Sequence, residues 1–124
     1  MRTKVQNKED YITATLKISE DLGVAFTEKL AGDSKNGWTL DLLNTLYIKL
    51  QDADIAHEYF IEMLKYSQGR KRYGVTNERN KLKTFIVSVK VRKEIYFAVM
   101  DVAQDYGVTF SELVRREIVK MVES

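Results

Sequence analysis

Cysteine and proline are absent from the 124 residues, and histidine and tryptophan occur once each. Without cysteine there is no disulfide framework, no thiolate metal site and no thiol nucleophile, as suits a reducing cytoplasm. The single histidine, His57, has no cysteine or second histidine to share a metal with, and reads as a solvent or packing residue. No glycine-rich phosphate loop and no recognisable paired-carboxylate motif is present, so no enzyme and no cofactor is expected. Residues 1–10 are polar and charged, which argues against a signal peptide. No apolar run approaches the roughly twenty residues of a membrane helix, so a cytoplasmic protein without a membrane partner is expected. The lack of proline favours long helices.

What the chain does contain is a change of period near its end. Thr84-Phe85-Ile86-Val87-Ser88-Val89-Lys90-Val91 alternates, with Phe85, Val87, Val89 and Val91 on one side and Thr84, Ile86, Ser88 and Lys90 on the other. Successive side chains of a strand point to opposite faces, so 84–91 is expected to be a strand with one dry face. From Arg92 the spacing becomes helical, through Ile95, Val99, Val102, Ala103 and Tyr106. Gly107 suits the left-handed residue that ends a helix. Thr109-Phe110-Ser111-Glu112 then has the form of a capping box, with Thr109 as N-cap and Glu112 at the third helical position. The next helix has an apolar stripe of Leu113, Val114, Ile118 and Met121.

An earlier stretch repeats this order. Ile12, Ala14, Leu16 and Ile18 alternate with Thr13, Thr15 and Lys17. Thr15-Leu16-Lys17-Ile18 matches Ser88-Val89-Lys90-Val91 in kind, position by position, at an offset of 73. Leu22, Phe26 and Leu30 make a helical stripe, with Ser19 expected as the N-cap ahead of Glu20 and Asp21. Residues 32–37 are expected to break the helix and to spend about two residues more than the later turn. A second helix then starts at Trp38-Thr39-Leu40-Asp41, with Leu42, Leu43, Leu46, Tyr47 and Leu50 in its core. The chain therefore divides into a first unit at 11–51, an added segment at 52–83 and a second unit at 84–123.

These residues resemble the ribbon–helix–helix family of DNA-binding regulators. The most specific pieces are Val87-Ser88-Val89-Lys90-Val91 running directly into a helix, and Gly107-Val108-Thr109-Phe110-Ser111-Glu112-Leu113-Val114-Arg115-Arg116. The resemblance covers 84–123 without a gap, and tandem regulators of this kind are carried by archaeal viruses and plasmids. It implies a mainly α fold in which two units pair strands 11–18 and 84–91 as a two-stranded antiparallel ribbon. It further implies that the ribbon enters the major groove of double-stranded DNA, with Thr13, Thr15, Lys17, Ile86, Ser88 and Lys90 reading bases. Lysine favours guanine N7 and O6, hydroxyls are permissive, and Ile86 departs from the family in being apolar and suited to a thymine methyl. The helix start at Thr109, Phe110 and Ser111 is expected to hold a phosphate, the matching start near Asp41 to hold one less well. Arg115 and Arg116 are weaker candidates for the DNA backbone. Pairing within one chain gives a complete, asymmetric ribbon that needs no palindromic half-site. Pairing between chains gives a dimer or self-association along DNA, and the sequence leaves both open.

The added segment is expected to hold an extra helix near 53–66, with Ile55, Tyr59, Phe60, Met63 and Leu64 at helical spacing. Its acidic residues Asp52, Asp54, Glu58 and Glu62 are expected to face away from DNA. Between 70 and 83 lie six basic residues and one acid. Arg70, Lys71, Arg72 and Lys83 are the phosphate-neutralising candidates there, and such contacts steepen the salt dependence of binding. Charge is divided accordingly: residues 1–69 carry eight Lys/Arg against eleven Asp/Glu, residues 70–124 twelve against seven. An asymmetry of this sort points to a polyanion meeting one end. The leading expectation is a sequence-specific transcription regulator of the cytoplasm or nucleoid, taking no small-molecule ligand. The alternatives are an accessory DNA-binding protein (antitoxin-like, partition or relaxosome component) and a protein-interaction module without DNA.

Overall fold

A computed structural model describes residues 10–69, 73 and 84–124. Its elements run β1 (Tyr11–Ser19), α1 (Glu20–Leu30), α2 (Lys35–Lys49), α3 (Ala53–Met63), β2 (Thr84–Arg92), α4 (Lys93–Asp105) and α5 (Phe110–Glu123). Among the described residues the fold is mainly helical, with one two-stranded sheet. β1 and β2 pair antiparallel within the single chain, from Tyr11 opposite Arg92 to Ser19 opposite Thr84. Both strands run one residue beyond the 11–18 and 84–91 of the alternation.

The alternation sets the register. Ala14, Leu16 and Ile18 of β1 and Val87, Val89 and Val91 of β2 are buried, while Thr13, Thr15, Lys17, Ile86, Lys90 and Arg92 are exposed. Each fully buried aliphatic side chain contributes on the order of 1.5–3 kcal/mol. A one-residue slip would turn that whole set into water, so one buried face fixes the pairing. Each strand then runs straight into a helix, with Ser19 and Arg92 as extended N-cap residues. Glu20, Asp21 and Glu94 sit in the first turns, where the helix dipole favours negative charge. Ser19 lends no side-chain cap; its hydroxyl instead donates to the Tyr73 carbonyl, at 2.7 Å.

The connections between paired helices correct the expected turn. Residues 31–34 join α1 to α2 and residues 106–109 join α4 to α5, so the two links are equally long. Gly32 and Gly107 occupy corresponding places, both at positive φ (102° and 72°). The halves differ instead in helix length, 11 residues for α1 and 13 for α4. α2 begins at Lys35 rather than Trp38, because Ser34 caps it by accepting from the Gly37 N–H at 2.9 Å. That bond keeps Gly37 inside the first turn.

The helices cross between halves. α1 packs on α5, and α2 packs on α4 and against β2. The shared core holds Leu22 and Phe26 of α1, Leu43 and Leu46 of α2, Val99 and Ala103 of α4, and Leu113, Val114 and Ile118 of α5. Trp38 meets the Phe26 ring edge-on at 5.0 Å. α3 is a separate helix rather than an extension of α2, and is shorter than the expected 53–66. Its buried stripe is Ala56, Phe60 and Met63, whereas Ile55 and Leu64, which share the helical spacing, are 42% and 41% exposed. Phe60 stacks on Tyr106 at 4.7 Å, and His57 reaches the Tyr106 hydroxyl at 3.4 Å. Tyr59 donates to the buried Glu117 carboxylate, and burial first, then that carboxylate, push the phenol's pKa up. No described helix is long and apolar enough to cross a membrane.

Candidate nucleic-acid interface

The outward face of the ribbon carries Tyr11, Thr13, Thr15 and Lys17 from β1 and Ile86, Ser88, Lys90 and Arg92 from β2. All six residues singled out as base readers therefore lie together, in three cross-strand pairs: Thr13 with Lys90, Thr15 with Ser88, and Lys17 with Ile86. The Thr15 and Ser88 hydroxyls are 3.4 Å apart at the middle of the face. The Lys90 ammonium lies 5.2 Å from the Tyr11 ring centroid, a cation–π contact across strands. None of the eight positions is a carboxylate, and three are cationic. Tyr11 and Arg92 join this face through the strand extension; their parity with Thr13 and Lys90 was the available signal.

A two-stranded ribbon leaves two free edges, and here each edge meets a side chain from a neighbouring helix. On the β2 edge the Ser88 N–H donates to Asn36 Oδ1 at 2.9 Å. On the β1 edge the Arg115 guanidinium donates to the Lys17 carbonyl from Nη2 at 2.9 Å and Nε at 3.2 Å, and also reaches Gln68. Arg116 donates to the Tyr66 carbonyl and is half-buried. Both arginines thus have hydrogen-bond partners within the chain.

The Asn36 contact brings the start of α2 alongside β2, and Arg115, the sixth residue of α5, brings the body of that helix alongside β1. The first N–H groups of a helix have no intrahelical partner and, with the helix dipole, favour an anion. At α5 the capping box is complete: Thr109 Oγ1 accepts from the Glu112 N–H, and Glu112 Oε1 accepts from the Thr109 N–H. Phe110 points its ring into the core and offers only its backbone, while Ser111 is half-buried beside it. At α2 the first turn holds Lys35 and Asn36 and no acid. Asp41 sits further along the helix and lines a hollow with Asp33, Ser34, Gly37 and Trp38. Lys35 and Asn36 lie ahead of the Trp38 start that the sequence suggests, because Gly37 has the character of a helix breaker. Lys35 also lies over the Phe85 ring, 5.4 Å from its centroid. Arg70, Lys71, Arg72 and Lys83 lie outside the described residues. No match to this chain is found among protein-family models, curated proteins or solved structures.

Proposed function

We propose that this chain is a sequence-specific regulator that binds double-stranded DNA in the ribbon–helix–helix manner, with both strands of the ribbon supplied by one molecule. The observation that carries the reading is the intrachain ladder, which sets Thr13, Thr15, Lys17, Ile86, Ser88 and Lys90 on one solvent face without a carboxylate. Strands about 4.8 Å apart, with side chains standing outward, fit a major groove about 12 Å wide. Lys17 and Lys90 take guanine N7 and O6, and Thr15 and Ser88 accept several base edges. The N–H groups at Lys35–Asn36 and at Phe110–Ser111 hold the phosphates that flank the groove and fix the protein's position. Arg70, Lys71, Arg72 and Lys83 add charge neutralisation without sequence preference. α3, with its acidic side chains, serves as a cover for the core on α5. Such a regulator works in the cytoplasm or nucleoid of the cell that expresses it.

Duplex affinity measured by fluorescence anisotropy at several salt concentrations tests the reading. Affinity for a selected duplex is expected to fall with salt, by about 0.9 in logarithmic slope for each phosphate neutralised. Thr15→Ala/Lys17→Ala and Ser88→Ala/Lys90→Ala are each expected to lower it about 10- to 100-fold, the range of one or two lost base contacts. Absence of binding to any duplex, even at low salt, would overturn the regulator reading and leave a protein-interaction module.

A further inference from the structure

The two ends of the ribbon differ, and the difference gives the site it reads a direction. Matching positions of the two halves lie 73 residues apart, as Thr15 and Ser88 do. The ladder pairs those same two residues with each other. A local two-fold axis therefore passes between the Thr15 and Ser88 hydroxyls. Rotation about it carries Lys17 onto Lys90 and Thr13 onto Ile86. The pair Thr13–Lys90 at one end is thus the image of the pair Ile86–Lys17 at the other.

Lysine is kept at both ends, and only its cross-strand neighbour changes. Thr13 is exposed and offers one hydroxyl and one methyl, so it accepts more than one base. Ile86 is 55% exposed and has no hydrogen-bonding atom in its side chain. Among the described residues it is the only exposed large hydrophobic on either strand. The apolar group that a base pair presents in the major groove is the C5-methyl of thymine. Ile86 is therefore strict where Thr13 is tolerant.

We infer that one chain reads one continuous, non-palindromic duplex site, in which thymine is required beside the guanine at the Ile86–Lys17 end and not at the Thr13–Lys90 end. This rests on the DNA-binding reading above. The centre of the site lies under Thr15 and Ser88, and the complex holds one chain per duplex.

The test uses the full chain and a randomised duplex pool. Wild type is expected to select a site with a strict thymine on one side only, and sedimentation to give one chain per duplex. Replacing that thymine by uracil removes the methyl alone and is expected to weaken binding about three- to fivefold, the worth of one buried methyl. The same replacement at the two-fold-related position is expected to change binding less. Orientation is read with Asp10→Cys, which introduces the chain's one cysteine beside Tyr11, at the Thr13–Lys90 end, for an iron chelate that cuts nearby DNA. Cleavage is expected at the end away from the strict thymine. In the exchanged variant Thr13→Ile/Ile86→Thr it is expected to move to the thymine end. Both positions are exposed, so an unchanged thermal midpoint verifies that the exchanged protein is folded.

A palindromic wild-type site, no loss on uracil replacement, or cleavage that stays at the same end in the exchanged variant would each overturn the inference while DNA binding stands. Failure to enrich any duplex would instead overturn the DNA-binding reading, and the inference with it.

Discussion

The two strand–helix–helix halves reach the same architecture with opposite choices of side-chain volume. Gly23 of α1 lies so close to Phe85 that an added Cβ would sit 2.3 Å from the ring. At the related positions, 73 residues away in each direction, the small residue is replaced by Tyr96 and the large one by Ile12. Both of these are half-buried against the core. A protein built from two identical chains would need one residue at each pair of related positions to satisfy both. Here the second half carries the larger residue at both positions, Phe85 on its strand and Tyr96 on its helix, and the first half the smaller at both, Ile12 and Gly23. In a single chain each position has one environment, so related positions are free to differ in volume.

The largest effect should come from breaking the chain between Gly69 and Thr84. Since α1 packs on α5 and α2 on α4, neither half contains its own core. A piece of some forty to seventy residues without that core is too small to offset its chain entropy. Residues 84–124 alone are expected to be unfolded monomers at micromolar concentration. Mixing with residues 1–69 should restore helical circular dichroism and a cooperative melt. Cooperative unfolding of either half as a monomer would show that the halves are independent and the crossing of helices incidental.

Next in size is the Gly23–Phe85 contact. Gly23→Ala forces the Phe85 ring and its Cβ to shift, and overpacking of this kind costs about 1–3 kcal/mol. Phe85→Leu in the same molecule should recover part of that loss. The coupling, read from urea denaturation of the two single variants and the double variant, is expected to be about 0.5–3 kcal/mol. Additive effects would mean that the close approach is relieved at no cost elsewhere.

How much of this was legible in the sequence follows from what each signal depends on. Alternation along a strand is local, so Val87, Val89 and Val91 and their counterparts Leu16 and Ile18 declare their buried face without knowledge of the partner. The capping box Thr109–Glu112 is local as well. The start of α2 was not legible. Gly37 resembles a helix breaker, and only the bond from its N–H to Ser34 keeps it helical. Ile55 and Leu64 have helical spacing with Tyr59 and Phe60, but α3 turns a different stripe inward because Phe60 stacks on Tyr106, 46 positions along the chain. Tertiary contacts at that separation leave no periodic trace. The edge contacts of Asn36 and Arg115 were hidden for the same reason.

The caps sharpen the comparison at smaller scale. Thr109 takes part in a reciprocal pair of bonds, whereas Ser34 makes one. Thr109→Ala is expected to cost about 1–2 kcal/mol and Ser34→Ala about 0.5–1 kcal/mol, within the range for N-cap losses. Thermal melts of the two variants give the order. Equal losses would mean that Glu112 holds the α5 start without help from Thr109.

The smallest stability change expected is at the β2 edge. Asn36 is exposed, so in Asn36→Ala water takes over the Ser88 N–H and the net loss is only about 0.5 kcal/mol. Global melting is therefore a poor probe, and hydrogen exchange at the Ser88 amide is a sharp one. That amide lies at the midpoint of β2, opposite Thr15, and Asn36 Oδ1 is its acceptor. Its exchange should quicken in Asn36→Ala while the ladder amides facing β1 keep their protection. The β1 edge provides the contrast, because Arg115 occupies a carbonyl there and protects no amide. Arg115→Ala should consequently leave the exchange of β1 amides nearly unchanged. If instead both variants accelerate exchange throughout the ribbon, the edge side chains hold the two strands together, and the buried face alone does not fix their register.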